Sequence, residues 1–252
     1  MSLQGRKILV TGASTGIGAA TAETLVNAGA VVVGTYRTGE PHPTRLVTAG
    51  VEVMIPVDFT DRPAVDAALS TVAEHGPFDG IVNNAGTFES ETWDELTLQS
   101  WDRVLDVNLR AVLAVTKALT PSMASGGSIV NISSIEARIG SYSYISYSAS
   151  KAALISLTRS LAVVLGSRGI RVNSISPGWI DTGLPAEDAR DAIALTPLGR
   201  TGEPHDVADL IMFLLSDNAS FITGANHVID GGYTQVDAIL NRELHGAWPT
   251  DR

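Results

Sequence analysis

Residues 7–28 read KILVTGASTGIGAATAETLVNA, an apolar run followed by a glycine-rich turn and an alanine-rich segment. The apolar run Lys7–Thr11 predicts a buried β-strand, and the segment Gly16–Ala28 predicts a helix. A strand that leads through glycines directly into a helix is typical of the first unit of a parallel sheet. This segment therefore predicts an α/β fold.

The same alternation of short apolar runs and longer helical patterns continues to residue 229. The further strands are predicted at Val31–Gly34, Val51–Pro56, Gly80–Asn83, Ser128–Ile132, Arg171–Ser176 and Asn226–Ile229. The further helices are predicted at Asp61–His75, Ser100–Leu119, Tyr147–Gly166 and Glu203–Ser216. Repetition of this order predicts a mostly parallel seven-stranded sheet with helices on both faces. Because ligands of such sheets bind at the carboxyl ends of the strands, the residues that follow each strand are the candidates for chemistry.

Length and composition predict one domain without a nucleic-acid partner. The 252 residues are 44% hydrophobic and contain no repeat or Pro/Gly-rich linker, so we expect a single domain over residues 1–252, with 233–252 as a C-terminal tail. The formal net charge of −10 opposes binding to nucleic acid, which needs clustered Lys and Arg. No apolar stretch reaches the length of a membrane span and no signal segment is recognisable, so the expectation is a cytoplasmic protein.

Metal and thiol chemistry are not expected. The chain contains no cysteine, which excludes disulfides and thiolate catalysis. Its histidines are scattered without a ligand-spaced pair, at His42, His75, His205, His227 and His245.

The glycine-rich turn has the chemistry of a phosphate site. Gly12, Gly16 and Gly18 let the backbone approach a pyrophosphate closely, and the N-terminus of the following helix attracts negative charge. The spacing differs from GxGxxG, and the turn lacks the Lys-Ser/Thr ending of a P-loop. A purely structural turn is the alternative at this point.

Tyr147 and Lys151 are the candidate acid/base pair. They lie four residues apart, so on a helix they share a face. That face continues through Leu154, Ile155 and Thr158, which places a lysine on an apolar stripe. An ammonium near a phenol is expected to lower the pKa of the phenol toward the working range. An ordinary tyrosine with a snorkelling lysine is the alternative.

Together these motifs resemble the short-chain dehydrogenase/reductase family from the first strand to about Tyr233. The matching segments are Thr11–Gly18 (TGxxxGIG), Asn83–Gly86 (NNAG), Asn108, Ser134, Tyr147 and Lys151 (YxxxK), Pro177–Gly178, Thr182 and Asp230–Gly232. The resemblance implies a single Rossmann-like, doubly wound domain that moves a hydride between a nicotinamide cofactor and an alcohol or carbonyl.

The resemblance also implies a role for each matched residue. Tyr147 exchanges a proton with the substrate oxygen, Ser134 hydrogen-bonds that oxygen, Lys151 holds the cofactor ribose, and Asn108 anchors a relay water. For Ser134 and Asn108, purely structural hydrogen bonding is the alternative. The implied cofactor contacts are Gly12, Ser14, Thr15, Gly16, Ile17, Gly18, Arg37, Asp58, Phe59, Asn84, Ala85, Gly86, Tyr147, Lys151, Pro177, Gly178, Ile180 and Thr182. As a lone residue, Asp58 is equally typical of a turn.

The residues after the second predicted strand favour NADP(H) over NAD(H). Tyr36 stands where the family's NAD enzymes carry an aspartate, and Arg37 beside it could hold a 2′-phosphate, with Arg45 as a helper. The basic residue that many NADP-using members carry inside the glycine turn is absent, since Ser14 and Thr15 are neutral. NAD(H) therefore remains the alternative.

The substrate pocket is expected between Thr87–Trp93, Glu136–Tyr144 and Trp179–Leu198. Glu136, Arg138, Tyr144 and Trp179 are the candidate contacts for a small carbonyl or alcohol. Glu136 and Arg138 could instead pair with each other or face solvent. Residues 183–198 are expected to form a mobile lid.

The family resemblance also implies a homotetramer or homodimer built on the helices at 100–119 and 147–166. In the tail, Val236, Ile239, Leu240 and Leu244 recur at helical spacing, as for a segment that docks on its own or a neighbouring subunit.

These expectations describe an NADP(H)-dependent ketoreductase. The alternatives are an NAD-dependent alcohol dehydrogenase, or a member whose hydride step serves a rearrangement, on the same fold. A non-catalytic dinucleotide sensor is a third.

Overall fold

The computed structural model describes residues 2–37, 43–183 and 185–237. Its sheet contains β1 (Lys7–Val10), β2 (Val31–Tyr36), β3 (Val53–Pro56), β4 (Gly80–Asn83), β5 (Ser128–Ile132), β6 (Arg171–Pro177) and β7 (Asn226–Ile229). The strand order is β3-β2-β1-β4-β5-β6-β7, and all six pairings are parallel. This confirms the predicted doubly wound α/β fold.

The helices are α1 (Gly16–Asn27), α2 (Thr44–Thr48), α3 (Arg62–Glu74), α4 (Leu98–Leu105), α5 (Ala111–Leu119), α6 (Ile145–Gly166), α7 (Ala186–Leu195) and α8 (Pro204–Leu215). The single helix predicted over 100–119 is divided, because a π-helical segment at Asp106–Arg110 separates α4 from α5. The sequence analysis did not predict α2 or α7, and α7 occupies most of the expected lid.

Alternating side chains of the strands form two cores, one on each face of the sheet. On one face, Ile8 and Val10 pack with Leu25 of α1 and Ile211 of α8. On the other face, Leu9 packs in a cluster that α3, α5 and α6 complete. Strands buried on both sides explain the nearly continuous apolar runs in the sequence.

The expectation that no apolar stretch reaches the length of a membrane span was wrong, because helix α6 is long and apolar enough to cross a membrane by length and composition. Buried helices of globular domains have the same properties. Its inner face, which includes Lys151, Leu154 and Thr158, is buried within the protein. We therefore describe α6 as a core helix.

Candidate active site

One cavity of about 690 Å³ opens at the carboxyl ends of the strands, where the parallel sheet leads us to expect a ligand. All eighteen residues predicted to contact a cofactor line this cavity, from Gly12 in the glycine turn to Thr182 beyond β6. Ser134 and Trp179 line it too, so the cavity joins the glycine turn to the predicted acid/base residues.

The glycine turn after β1 can be built only with glycines at its key positions. Gly12 and Gly16 have positive φ angles of 63° and 53°. A Cβ atom on Gly18 would lie 2.1 Å from the carbonyl oxygen of Gly12. Helix α1 begins at Gly16, and Thr15 before it makes no side-chain capping bond. Since the first N–H groups of a helix lack intrahelical partners, this end of α1 offers donors to an anion.

Thr11 and Asn84 hold the turn against β4. The Thr11 hydroxyl accepts hydrogen bonds from the N–H groups of Asn84 (3.1 Å) and Ala85 (3.0 Å). The Asn84 side chain donates to the carbonyl oxygens of Gly12 (2.9 Å) and Thr11 (3.1 Å). Asn84 thus shapes the cavity by fixing the backbone of the glycine turn. Sequence reasoning did not assign Thr11 a role, although it stands first in the TGxxxGIG motif.

Ser134 lies at the end of β5 and caps the 3₁₀ turn Ile135–Ala137. Its hydroxyl oxygen accepts the N–H of Glu136 at 3.1 Å. The Ser134 side chain also lowers the pKa of the Tyr147 phenol by favouring its ionised form. The structural and the chemical interpretation of Ser134 are therefore both compatible with its contacts.

The pKa of Tyr147 contradicts the sequence-based expectation. Burial is the largest influence and raises the pKa of the phenol above its usual value, against the smaller effect of Ser134. Lys151 lies with its Nζ 5.5 Å from the centre of the Tyr147 ring. Burial also lowers the pKa of Lys151 to about 8, which weakens it as a source of positive charge. Ionisation of the Tyr147 phenol is therefore less favourable than that of a free tyrosine.

Lys151 is almost fully enclosed, with 4% of its surface exposed. Its Nζ donates a hydrogen bond to the carbonyl oxygen of Ile132 at 2.9 Å, and its own carbonyl oxygen accepts one from Ser133 at 2.9 Å. These bonds fix the lysine between β5 and α6, on the wall of the cavity. A buried cation with one neutral partner is costly for folding, which is typical of a functional group.

Asn108 lies in the π-helical segment, and both the oxygen and the nitrogen of its side-chain amide form hydrogen bonds. Its Oδ1 accepts the N–H of Thr87 at 2.8 Å, and its Nδ2 donates to the carbonyl oxygen of Thr87 (2.8 Å) and to Ser150 (3.0 Å). Asn108 therefore joins the loop after β4 to helix α6. These contacts are those of the structural alternative for Asn108, and its role in catalysis stays a prediction.

Replacing Asn108 by alanine is expected to lower the free energy of unfolding by about 3 kcal/mol, because buried partners lose their hydrogen bonds. Urea denaturation of the wild type and the variant measures this difference. Ser150→Ala, which removes one of the bonds to Asn108, is the matched control and is expected to cost about 1 kcal/mol. Equal losses in the two variants would contradict this description of Asn108.

The opposite end of the cavity contains the residues expected to distinguish the two dinucleotides. Tyr36 and Arg37 follow directly from β2, and Arg37 is exposed at the lip. Asp58 after β3 accepts hydrogen bonds from the N–H (2.9 Å) and hydroxyl (2.7 Å) of Thr60 through Oδ1. Asp58 is thus a turn residue that also lines the cavity.

The four predicted substrate contacts have different surroundings. Trp179 lines the cavity and packs edge-to-face with Tyr233. Tyr144 packs at a similar angle against Phe88, whereas Arg138 is exposed. Glu136 is half-buried, and its carboxylate accepts a hydrogen bond from Ser148 at 3.3 Å. Substrate contact by these four residues stays a prediction.

Sequence reasoning did not single out Phe88. It is 64% exposed, lines the cavity, and stacks edge-to-face on both Tyr144 and Tyr147, with ring centres 5.9 and 6.3 Å apart. Beside it, Glu89 and Arg103 form a two-bond ion pair with both distances at 2.8 Å. An exposed aromatic ring next to the predicted acid offers an apolar surface to a substrate.

The Asp230–Gly232 motif supports the end of the expected lid. Leu198 donates its N–H to the carbonyl oxygen of Gly231 at 3.2 Å. A Cβ atom on Gly231 would lie 2.6 Å from the Thr196 side chain, and one on Gly232 would lie 2.9 Å from Pro197. The motif thus packs against residues 196–198. Of the tail residues named from the sequence, Ile239, Leu240 and Leu244 lie outside the described residues.

A metal centre was not expected from the sequence. Across residues 2–37, 43–183 and 185–237, no group of three or more His, Cys, Asp or Glu side chains is placed to hold a metal ion.

Comparison with known proteins identifies the family. A family model described as enoyl-(acyl carrier protein) reductase matches residues 12–234. Cis-4-hydroxycyclohexanecarboxylate dehydrogenase of Sinomonas cyclohexanicum is 43% identical over 242 residues, which are 92% of this chain and 97% of that protein. The 3-oxoacyl-(acyl-carrier-protein) reductase of Thermotoga maritima is 37% identical over 243 residues, which are 92% of this chain and 99% of that protein.

Among solved structures, a putative 2-deoxy-D-gluconate 3-dehydrogenase from Agrobacterium tumefaciens with bound NADP is similar, with a TM-score of 0.84 and 36% identity. The similarity covers 93% of this chain and 98% of that one. The chain therefore belongs to the short-chain dehydrogenase/reductase family, whose members are oxidoreductases acting on CH–OH and C=O groups.

Proposed function

We propose that this protein is an NADP(H)-dependent ketoreductase that reduces small carbonyl compounds, with Tyr147 as the proton donor. The observation that carries the proposal is the placement of Ser134, Tyr147 and Lys151 in the same cavity as the glycine turn, with the Lys151 Nζ 5.5 Å from the centre of the Tyr147 ring. A phenol whose pKa is raised by burial holds its proton at neutral pH, as a donor to a carbonyl oxygen must.

The cavity has the donors that a dinucleotide phosphate group requires. Its wall includes the N-terminus of α1, which has no side-chain cap, and the backbone of the glycine turn, in which Gly12, Gly16 and Gly18 carry no side chains. Arg37 at the lip supports a 2′-phosphate and hence NADP(H). The bound NADP of the Agrobacterium protein supports the same cofactor.

In the proposed reaction the cofactor supplies the hydride and the protein supplies the proton. When bound, NADPH supplies the hydride that reaches the carbonyl carbon. Ser134 donates a hydrogen bond to the carbonyl oxygen, and Tyr147 transfers its proton to that oxygen as the C–O π bond becomes a C–OH group. Lys151, fixed by Ile132, holds a positive charge close to the phenolate that remains. In the oxidative direction each of these proton steps is reversed.

The structural features that favour assembly are the outer faces of α5 and α6. Leu113 on α5 and Val163 and Val164 on α6 are 46%, 82% and 67% exposed. Exposed apolar helical faces are typical of subunit interfaces. These faces support a homodimer or homotetramer. The dehydrogenase relatives support a small molecule as the substrate, and the cytoplasm is the proposed location.

Fluorescence titration with NADPH and NADH tests the cofactor. We expect the wild type to bind NADPH more tightly than NADH, and Arg37→Ala to weaken NADPH binding at least tenfold while it leaves NADH binding nearly unchanged. Arg159→Ala is the matched control, because Arg159 is exposed on α6 and does not line the cavity. Tighter binding of NADH would instead favour an alcohol-oxidising enzyme, the activity that the name of the Sinomonas relative describes. Binding of neither form would favour a scaffold role.

A further inference from the structure

Glu136 connects two elements that carry catalytic side chains. It lies in the 3₁₀ turn Ile135–Ala137, and its N–H donates to the hydroxyl of Ser134. Its carboxylate oxygen Oε2 accepts a hydrogen bond from the hydroxyl of Ser148, the residue after Tyr147 on the first turn of α6. One residue thus bridges the turn of Ser134 and the helix of Tyr147.

The backbone N–H of Glu136 also constrains the Ser134 hydroxyl. A serine hydroxyl has one hydrogen to donate and two lone pairs that accept. Because one lone pair accepts the N–H of Glu136, the hydroxyl hydrogen remains available to the phenol or to a substrate oxygen. A shift of the 3₁₀ turn relative to α6 would change the geometry of this donor.

The surroundings of Glu136 let its charge act on the phenol. Helix α6 contributes the ionisable groups of Tyr147 and Lys151 on this side, and the turn itself continues to the exposed Arg138. Strand β6 also packs against the turn, and its ionisable residue, Arg171, lies at the opposite end of the strand. The Glu136 carboxylate raises the pKa of Tyr147, because a nearby negative charge disfavours the phenolate.

We infer that Glu136 is a positioning residue whose carboxylate ties the Ser134 turn to the Tyr147 helix and places a negative charge beside the phenol. This inference rests on the proposed function, in which Tyr147 donates a proton to a carbonyl. Glu136 acts on the reaction through Ser134 and Tyr147.

Three variants separate the effect of the hydrogen bond between Ser148 and Glu136 from the effect of the Glu136 charge. Glu136→Gln keeps an oxygen that accepts from Ser148 but removes the charge. Ser148→Ala removes this hydrogen bond and keeps the charge of Glu136. Glu74→Gln, at an exposed position near the end of α3, is the matched charge control.

The first readout is the ionisation of Tyr147 in the ligand-free protein, followed by ultraviolet absorbance of the tyrosinate. The titration of each protein minus that of its Tyr147→Phe counterpart isolates Tyr147 from the other tyrosines. We expect Glu136→Gln to shift this titration down by about half to one pH unit, with no shift in Glu74→Gln. Coincident titrations of Glu136→Gln and the wild type would overturn the role of the charge.

The second readout is the pH profile of NADPH-dependent cyclohexanone reduction. We expect the alkaline limb of kcat/KM to move to lower pH in Glu136→Gln by the same amount. In Ser148→Ala we expect kcat to fall about three- to tenfold with KM and the limb unchanged. A Ser148→Ala enzyme with wild-type kcat would overturn the role of the hydrogen bond between Ser148 and Glu136. A wild type that reduces no carbonyl would refute the proposed function, while the absorbance titration would still test Glu136.

Discussion

Replacing Lys151 by methionine is expected to stabilise the ligand-free protein while it removes carbonyl reduction. In the folded protein, burial lowers the pKa of Lys151 from 10.5 to about 8, so its charge opposes folding at neutral pH. Methionine has a similar length and no charge, but it leaves the carbonyl oxygen of Ile132 without its partner. We expect a net gain of about 1–2 kcal/mol in the free energy of unfolding, or about 4 °C in Tm.

The same pKa gives this effect a defined dependence on pH. The unfolded chain binds the Lys151 proton more tightly than the folded protein does, so wild-type stability rises between about pH 8 and the ordinary lysine value of 10.5. A Lys151→Met protein lacks this rise. The stability difference between the two proteins is therefore expected to be largest below pH 8 and to shrink as the pH increases toward 10.5.

Calorimetry of the two proteins across this pH range measures both effects, and Lys117→Met on the exposed face of α5 is the control. A Lys151→Met protein that unfolds more easily than the wild type at pH 7 would show that the lysine contributes to folding. Carbonyl reduction retained by that variant would show that the catalytic role is wrong.

Replacing Tyr147 by phenylalanine is expected to reduce kcat for carbonyl reduction by about a thousandfold. Phenylalanine keeps the ring that packs against Phe88 but removes the acidic proton and the interaction of the phenol with Ser134. The fold and NADPH binding are expected to be nearly unchanged, because the hydroxyl contributes little to either. Steady-state kinetics with NADPH and cyclohexanone, together with NADPH titration, measure these quantities.

Tyr144→Phe is the matched control for this loss. Tyr144 packs against the same Phe88 and stands three residues before Tyr147, and its predicted role is contact with the substrate and not proton transfer. We expect kcat to change by less than about threefold in this variant. Similar losses in the two variants would mean that the segment, and not the phenol of Tyr147, controls the rate.

The fold was predictable because its signals are local and repeated. Each strand of the sheet is a short apolar run, and glycines mark the exit of β1, where side chains would collide with the backbone. The division between α4 and α5 was not predictable in this way, since it depends on the buried contacts of Asn108 with Thr87 and Ser150. The short helix α2 and helix α7 were missed because their apolar patterns are weak.

The cavity residues were predictable to a similar extent. The motifs placed the cofactor candidates and Ser134, Tyr147 and Lys151 on one cavity, because residues that follow parallel strands meet at one edge of the sheet. Asn108 is fully buried and is not among the residues that line this cavity. The prediction that the pKa of Tyr147 is lowered was wrong, since sequence spacing reveals the nearby lysine but not the burial that raises this pKa. The bridge between Glu136 and Ser148 depends on how a turn packs on a helix, which spacing alone does not reveal.

The measurement that tests the central claim most directly is NADPH consumption by the wild type with a panel of small ketones, including cyclohexanone. Absorbance reports the loss of NADPH, and chromatography reports the alcohol. The proposed ketoreductase consumes one NADPH for each alcohol formed, and the reaction slows above the pKa of Tyr147 because the phenol loses its proton. An enzyme that binds NADPH tightly but reduces none of these ketones would contradict the claim, as would one that oxidises the alcohols only with NAD.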